Sequence, residues 1–292
     1  MASLKEIKGR IGSIKNTLKI TSAMKLVASA KLHKAQQQIE GMLPYSQRME
    51  EILGHLMGDE NTKISSPYTQ QPKTVRRVAL VAMSSSTSLC GGFNSNIVRE
   101  TGHRIDELRK NGVEEILFVP IGRKVAQAFS AEEGFSIVDE FKTCGEKPSY
   151  AETARIADFL MNLFKNQEAD RIELLYTHYK SMAVQVVTHS QYLPITQEKL
   201  LPEEQRLADT DYLIEPSKQE VIKSLLPQAL TVKLYATLLD SNAAEHAART
   251  FAMQQATDNG NALLQELNLM YNKMRQQAIT NELLDIVGGS MR

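Results

Sequence analysis

Apolar and small residues return along both ends of the chain at alternating steps of four and three. At the N-terminal end the series is Ile7, Ile11, Ile14, Leu18, Thr21, Lys25, Ala28, Leu32, Ala35, Ile39 and Met42. Toward the C-terminus it is Leu239, Ala243, His246, Thr250, Met253, Thr257, Gly260, Leu264, Leu267, Tyr271, Met274 and Ala278. This stepping keeps one stripe on one side of a helix, so each end predicts a long helix with a coiled-coil seam. The first seam is apolar except at Thr21 and Lys25. Small residues fill the middle of the second, which lets a partner helix approach closely, and bulkier ones follow from Leu264. Each seam is the natural partner of the other.

Pro44 is expected to kink or interrupt the first helix, because proline lacks a backbone donor and clashes one turn back, with helix resuming toward Met57. No proline follows Pro227. An unbroken helix over 231–287 runs roughly 85 Å, whereas a compact chain of this length has a radius of gyration of about 19 Å. Such a helix is expected to project as half of an antiparallel rod, and Gly288-Gly289 predicts its stop.

Between the arms the pattern changes. Apolar, β-rich runs at 75–83, 115–121, 135–141, 172–176 and 182–188 predict strands, and helical stretches fall at 96–110, 123–132 and 150–166. Strand and helix in alternation imply a largely parallel sheet with helices on its faces. The polar run 198–211 reads as a loop. The fold class is therefore α/β, a long antiparallel coiled coil of N- and C-terminal helices plus a central Rossmann-like α/β domain. The expected boundaries are 1–57 for the first arm, 74–216 for the domain and 217–292 for the second arm.

Composition narrows the function. Lys plus Arg and Asp plus Glu both total 34, so a protein whose whole surface holds nucleic acid is excluded by its zero formal charge. Cys90 and Cys144 fit neither a disulfide framework nor a paired metal-ligand motif, which points to a reducing compartment. The opening residues lack the apolar core of a signal peptide, and no run approaches the ~18 apolar residues of a membrane span. Any membrane association is expected to run through partners.

The candidate chemistry is thin. The turn Ser84-Ser85-Ser86-Thr87-Ser88-Leu89-Cys90-Gly91-Gly92-Phe93-Asn94 follows the first strand and precedes a helix, where doubly wound proteins hold phosphates. It has neither G-x-G-x-x-G nor a G-K-[ST] ending, so a structural turn is the expectation. Cys90 beside two glycines has no identifiable histidine partner and reads as a packing residue rather than a nucleophile. The six histidines show no paired spacing and no H-E-x-x-H, so no metal is expected.

The first 35 residues carry Lys5, Lys8, Arg10, Lys15, Lys19, Lys25, Lys31 and Lys34 against Glu6. Without interleaved aromatics this reads as a positive rod steering toward acidic protein surfaces rather than as a nucleic-acid site. The last turns, 278–287, stay apolar on one side beyond the reach of the first arm. Ile279, Leu283, Ile286 and Val287, if unpaired, are expected either to fray or to sit in a protein socket as a bearing tip; the alternative expectation is that they fold back onto the chain's own domain.

Several motifs resemble those of F-type ATP synthase gamma subunits of bacterial type. Near the start they are Lys5-Glu6-Ile7-Lys8, Asn16-Thr17, Lys19-Ile20-Thr21-Ser22-Ala23-Met24 and Val27-Ala28. Near the end they are Ala256-Thr257-Asp258-Asn259-Gly260, Tyr271-Asn272-Lys273, Arg275-Gln276, Ala278-Ile279-Thr280, Glu282-Leu283 and Ile286-Val287. Leu89-Cys90-Gly91-Gly92-Phe93-Asn94 and Asp211-Tyr212-Leu213-Ile214-Glu215-Pro216 extend the resemblance across the chain. Where the family usually reads Asp-Arg-Gly, Ser86-Thr87-Ser88 stands here. The regulatory cysteine pair of chloroplast members is absent.

The resemblance implies a rotating central shaft that couples proton or sodium flow through a c-ring to ATP synthesis and hydrolysis. Both helices would stand inside a ring of three alpha and three beta subunits. Catalysis would belong to beta, so the chain itself is expected to be no enzyme and to carry no cofactor. The α/β domain would contact the epsilon subunit and the membrane-embedded c-ring. By motif position Arg275 and Gln276 resemble the group that hydrogen-bonds beta's catch loop, with Thr280 and Glu282 assisting. Met24, with Lys25 beside it, resembles the site that passes beta's moving acidic segment, and Arg249 matches an arginine that influences coupling. The implied location is peripheral, on the cytoplasmic face of a bacterial inner membrane. The competing expectation from the residues alone is an independent nucleotide-binding α/β enzyme, dimerised by its arms and working at the Ser84 to Asn94 turn.

Overall fold

A computed structural model describes residues 3–58, 66–72, 74–130, 135–195 and 214–290. The chain divides into two compact units, one of Met1–Ser29 with Arg249–Arg292 and one of Ala30–Ala248. The elements in order are α1 (Leu4–Gly58), β1 (Arg77–Met83), α2 (Phe93–Lys110), β2 (Glu115–Ile121), α3 (Arg123–Phe129), β3 (Ser136–Ile137), α4 (Tyr150–Lys165), β4 (Arg171–Tyr179), β5 (Gln185–Leu193) and α5 (Lys218–Ser290).

The larger unit is built on a five-stranded sheet of order β3-β2-β1-β4-β5. β1 pairs in parallel with β2 and β4, β2 in parallel with β3, and β5 closes the edge antiparallel to β4. Alternation along the strands sends side chains to two cores. Ala79, Val81 and Met83 join Ile172 and Leu174 beneath α4 and the first part of α5. Val78, Leu80 and Ala82 join Phe118 and Leu175 beneath α2 and α3. α4 starts with Ser149 as its N-cap, whose Oγ accepts from the Glu152 amide at 3.3 Å and donates to the Glu152 carboxylate at 3.3 Å.

α5 is bound to this sheet by polar as well as apolar contacts. Leu230, Leu234 and Leu238 enter the first core, and the fully buried Tyr192 on β5 donates its hydroxyl to the Leu230 carbonyl at 3.0 Å. Asp240 receives the Tyr179 amide at 2.9 Å and lies 2.7 Å from His178 Nδ1, pinning the helix to the end of β4. Tyr192→Phe keeps the ring and removes the bond. It is expected to cost about 1 kcal/mol, measured as a lower urea midpoint with unchanged slope.

Several boundaries differ from those read in the sequence. Pro44 does not interrupt α1, which runs through it. The buried and half-buried positions continue in phase from Met42 through Ser46, Met49, Leu53 and Leu56, while Pro44 lies on the exposed side. Met49, Leu53 and Leu56 pack on Ile222, Leu226 and Val232 of α5, which offsets one lost backbone bond. Pro227 is likewise inside α5, and the helix passes Gly288-Gly289 to Ser290. Each glycine lowers helix preference by only about 1 kcal/mol.

The run 135–141 gives only the two-residue strand β3, followed by a short 3-10 turn Asp139–Phe141. The chain leaves the sheet edge so that Phe141 can enter the core against Phe159. The last strand is shifted from 182–188 to Gln185–Leu193, because Lys180 to Val184 form the hairpin turn after a longer β4. Met182 and Val184 are exposed there, and the strand is anchored by Tyr192 and Leu193 instead. α2 begins three residues before the expected 96, since Phe93 is drawn against Ala244 and Ala248. α3 ends at Phe129 with Ser130 as its C-cap, short of the expected 132, and the loop reading of 198–211 lies outside the described residues.

Candidate functional site

The smaller unit pairs the opening of α1 with the later part of α5. Contacts fix an antiparallel register, since Leu18 lies over Gly260, Thr21 meets Thr257 and Lys25 meets Gln254. The two threonine hydroxyls are 2.9 Å apart, and Lys25 Nζ donates to Gln254 Oε1 at 2.9 Å. Gln254 Nε2 in turn donates to both Asp258 oxygens, at 2.8 and 3.0 Å. A Cβ added at Gly260 would stand 2.7 Å from Leu18 Cδ2, so the glycine makes the hole that this leucine fills. The same seven seam positions, Thr257, Gly260, Leu264, Leu267, Tyr271, Met274 and Ala278, are the ones α5 shields from solvent beyond Ala256.

Continuing that register sets Ile7, 1% exposed, beside Tyr271. α1 begins at Leu4, so α5 has no facing turn of α1 beyond Ala278. From Ile279 to Val287 every residue is exposed. Ile279, Leu283, Ile286 and Val287 are 45, 58, 67 and 52% exposed, an apolar surface that water disfavours.

The residues singled out by motif fall in separate places. Arg275, Gln276, Thr280 and Glu282 are all exposed on the last turns of α5. Thr280 donates its hydroxyl back to the Gln276 carbonyl at 2.9 Å. Helical spacing stacks Gln276, Thr280, Leu283 and Val287 along one face and Arg275, Ile279, Glu282 and Ile286 along the adjacent one. Polar pair and apolar tip thus form one continuous surface. Met24 is half-buried on α1, next to Lys25 with its bond to Gln254. Arg249 is buried far back along α5, at the start of this unit's second segment. Asp258 stood in the closing motif with no role attached, and Gln254 was not singled out; its polar letter just before that motif was the signal available.

The Ser84 to Asn94 turn, in the larger unit, spends its polar groups internally. Ser84 Oγ accepts from the Val125 amide at 3.0 Å, at the start of α3, and the Ser85 carbonyl accepts from the Lys124 amide at 3.1 Å. Asn94 Oδ1 accepts from the Ser85 amide at 3.1 Å, and its Nδ2 donates to the Thr87 carbonyl at 3.1 Å. Ser86 Oγ accepts from the Arg123 amide at 3.4 Å. Cys90 is 1% exposed among Phe93, Ala244 and Ala248, a packing residue. Among the described residues no group of three or more His, Cys, Asp or Glu is placed to hold a metal ion. No helix among them is long and apolar enough to cross a membrane.

A family model described as ATP synthase matches residues 3–291. The chain is 55% identical to an ATP synthase gamma chain of Phocaeicola vulgatus over 293 aligned residues, covering 100% of both chains. It is 41% identical to that of Flavobacterium johnsoniae, covering 99% of this chain and 98% of the other. Among solved structures it resembles the central stalk and c-ring assembly of the Tetrahymena thermophila mitochondrial ATP synthase. That match has a TM-score of 0.56 at 25% identity, over 81% of this chain and 99% of that one. A Euglena gracilis mitochondrial ATP synthase chain shares the fold, with a TM-score of 0.62 at 18% identity over 99% and 93% of the two chains. Together with the self-satisfied turn, these matches leave the independent nucleotide-binding enzyme without support.

Proposed function

The chain belongs to the ATP synthase gamma-chain family, the central stalk of that complex, and from this premise we propose that its paired helices turn inside a ring of three alpha and three beta subunits. The observation that carries the reading is the solitary end of α5, where an apolar tip and a polar pair share one exposed surface. Ile279, Leu283, Ile286 and Val287 form the bearing in an apolar socket. Arg275 and Gln276 hydrogen-bond beta's catch loop, with Thr280 and Glu282 beside them.

Catalysis belongs to the beta subunits, and the stalk changes their relative energies. A rotor whose contacts were equally favourable to all three beta conformations would shift no population, however tightly it bound. A directional, charge-assisted donor such as Arg275 supplies an energy that changes sharply with angle, whereas the apolar tip supplies one that does not. Met24 passes beta's acidic segment, and Lys25 meets it with the ammonium donors not used by Gln254. The exposed Lys5, Lys8, Lys15 and Lys19 add a positive surface toward it. Arg249 acts on coupling from its buried place on α5. The α/β unit contacts the epsilon subunit and the c-ring, which keeps the chain peripheral on the cytoplasmic face of the inner membrane.

The test is Arg275→Ala with Gln276→Ala in the assembled complex. Loss of charge-assisted bonds worth ~1.5–3 kcal/mol is expected to slow ATP hydrolysis and synthesis by about tenfold to a hundredfold. Unchanged turnover in a fully assembled complex would remove the assignment of these two residues.

A further inference from the structure

We propose that Leu18, Thr21 and Lys25 of α1, with Gln254, Thr257, Asp258 and Gly260 of α5, form an axial register lock that stops the two helices from sliding along each other. A seam made only of apolar side chains discriminates poorly between alignments one heptad apart, because each slip again sets apolar against apolar. A polar side chain in the seam behaves differently, since its hydrogen bonds exist in one alignment and are left unmade in the others.

This layer has both elements of such a device. The Thr21 and Thr257 hydroxyls meet across the pair at 2.9 Å, beyond the own-helix carbonyls of Leu18 and Met253 that each also reaches, and Lys25 Nζ reaches Gln254 Oε1 at 2.9 Å while Gln254 is held from behind by Asp258. One turn on, Leu18 fills the hole over Gly260. A slip of one heptad, about 10 Å along the axis, in one direction puts Thr21 opposite Leu264 and Lys25 opposite Asn261. Thr21 then loses its bond across the pair and keeps only that to the Leu18 carbonyl at 3.2 Å, and Lys25 loses the Gln254 oxygen that Asp258 holds in place. Such a slip also sets Leu18 against Leu267 in place of the glycine. Lys25 therefore has a positioning role inside the pair, besides any role toward a partner.

The consequence for function rests on the stalk reading: a pair locked in register carries torque without one helix creeping past the other. The lock itself does not depend on that reading and is tested in the full-length chain alone. Three double-cysteine reporters are compared by disulfide yield. Ile14→Cys with Leu264→Cys reports the observed register, Ile14→Cys with Tyr271→Cys a slip one way, and Ile7→Cys with Leu264→Cys a slip the other way. With the layer intact, only the first pair is expected to close readily. In the apolar variant Thr21→Val, Thr257→Val, Lys25→Met, Gln254→Leu, at least one slipped pair is expected to rise about tenfold or more, while thermal stability holds or increases. Thr21→Val with Thr257→Val, which conserves volume, is read in the same way and decides the matter if the fourfold variant does not fold.

Closure confined to the first pair in a folded variant would overturn the proposal, as would comparable closure of all three pairs with the layer intact. A lock that holds in the chain, alongside unchanged turnover of the Arg275 and Gln276 variant, would count against the catch-loop assignment alone.

Discussion

Gly122→Ala is expected to destabilise the α/β unit by about 3–5 kcal/mol, combining backbone strain of ~1–3 kcal/mol with overpacking of similar size. Gly122 sits between β2 and α3 at φ 109°, a conformation L side chains rarely adopt. A Cβ there would be driven into the backbone carbonyl of Ser84. Neither side can yield cheaply. Ser84 is tied to β2 by its amide, which donates to the Ile121 carbonyl at 2.7 Å, and to α3 by its hydroxyl. The Gly122 amide donates to the Lys142 carbonyl at 3.0 Å, so the turn is held from its other side as well. Urea denaturation of the full chain checks this. A loss below ~1 kcal/mol would mean that the β2 to α3 turn relaxes far more readily than its bonding implies.

Glu173→Gln is expected to cost about 3–5 kcal/mol at neutral pH, the range for breaking a buried ion pair by removing one partner. Glu173 on β4 is 1% exposed and receives two bonds from the Arg104 guanidinium on α2, at 2.8 and 2.7 Å. His189 Nε2 on β5 lies 2.9 Å away, and Arg171 adds a longer contact at 3.4 Å. Burial pushes the Glu173 carboxyl up, but the bonds from His189 and Arg104 outweigh it and hold the group at about 2, below its ordinary 4.5. The sign follows from that depression. The stabilisation is fully present above pH ~4.5 and is lost as pH falls through about 2, because the unfolded chain takes up the proton first. Urea midpoints from pH 7 downward should show this acid-sensitive component in the parent chain and lack it in Glu173→Gln. An acid limb of equal size in both would place its origin in other carboxylates.

Two kinds of information separate at these residues. Arg104 is far from Glu173 in the chain, and nothing about either letter marks it as the other's partner. Gly122 reads as an ordinary glycine at a strand end until Ser84 is found against it. By contrast, the seam from Ile7 to Met42 was legible in full. All of its positions, including Thr21 and Lys25, are buried or half-buried, joined on that stretch of α1 only by Ser22, Met24 and Gln36. Helical periodicity survives in a sequence because each seam residue must face the partner every turn, whatever the partner's identity. The edges of the sheet were read less well. β3 and β5 have neighbours on one side only, so their limits depend on where Phe141, Tyr192 and Leu193 find space in the core.

The candidate surface divides in the same way. Motif position drew attention to Arg275, Gln276 and the apolar tip, and helical geometry then placed them on adjoining faces of one exposed end. Lys25 read in the sequence both as a seam position and as one charge of a positive rod, and its ammonium is engaged with Gln254 across the pair. Only a register could reveal that, because a one-residue change in alignment would have given the lysine another neighbour.

By itself the sequence determined that both ends are long helices with matching stripes, that a largely parallel sheet lies between them, and which family the chain resembles. Those are properties of periodicity and local letters. Tertiary structure alone decided how α1 continues through Pro44, which polar residues meet across the helical pair, and how Ser84, Ser85, Ser86 and Asn94 tie the turn to α3 and to itself. Each of these depends on free energies between residues distant in the chain, and such energies leave no local pattern to read.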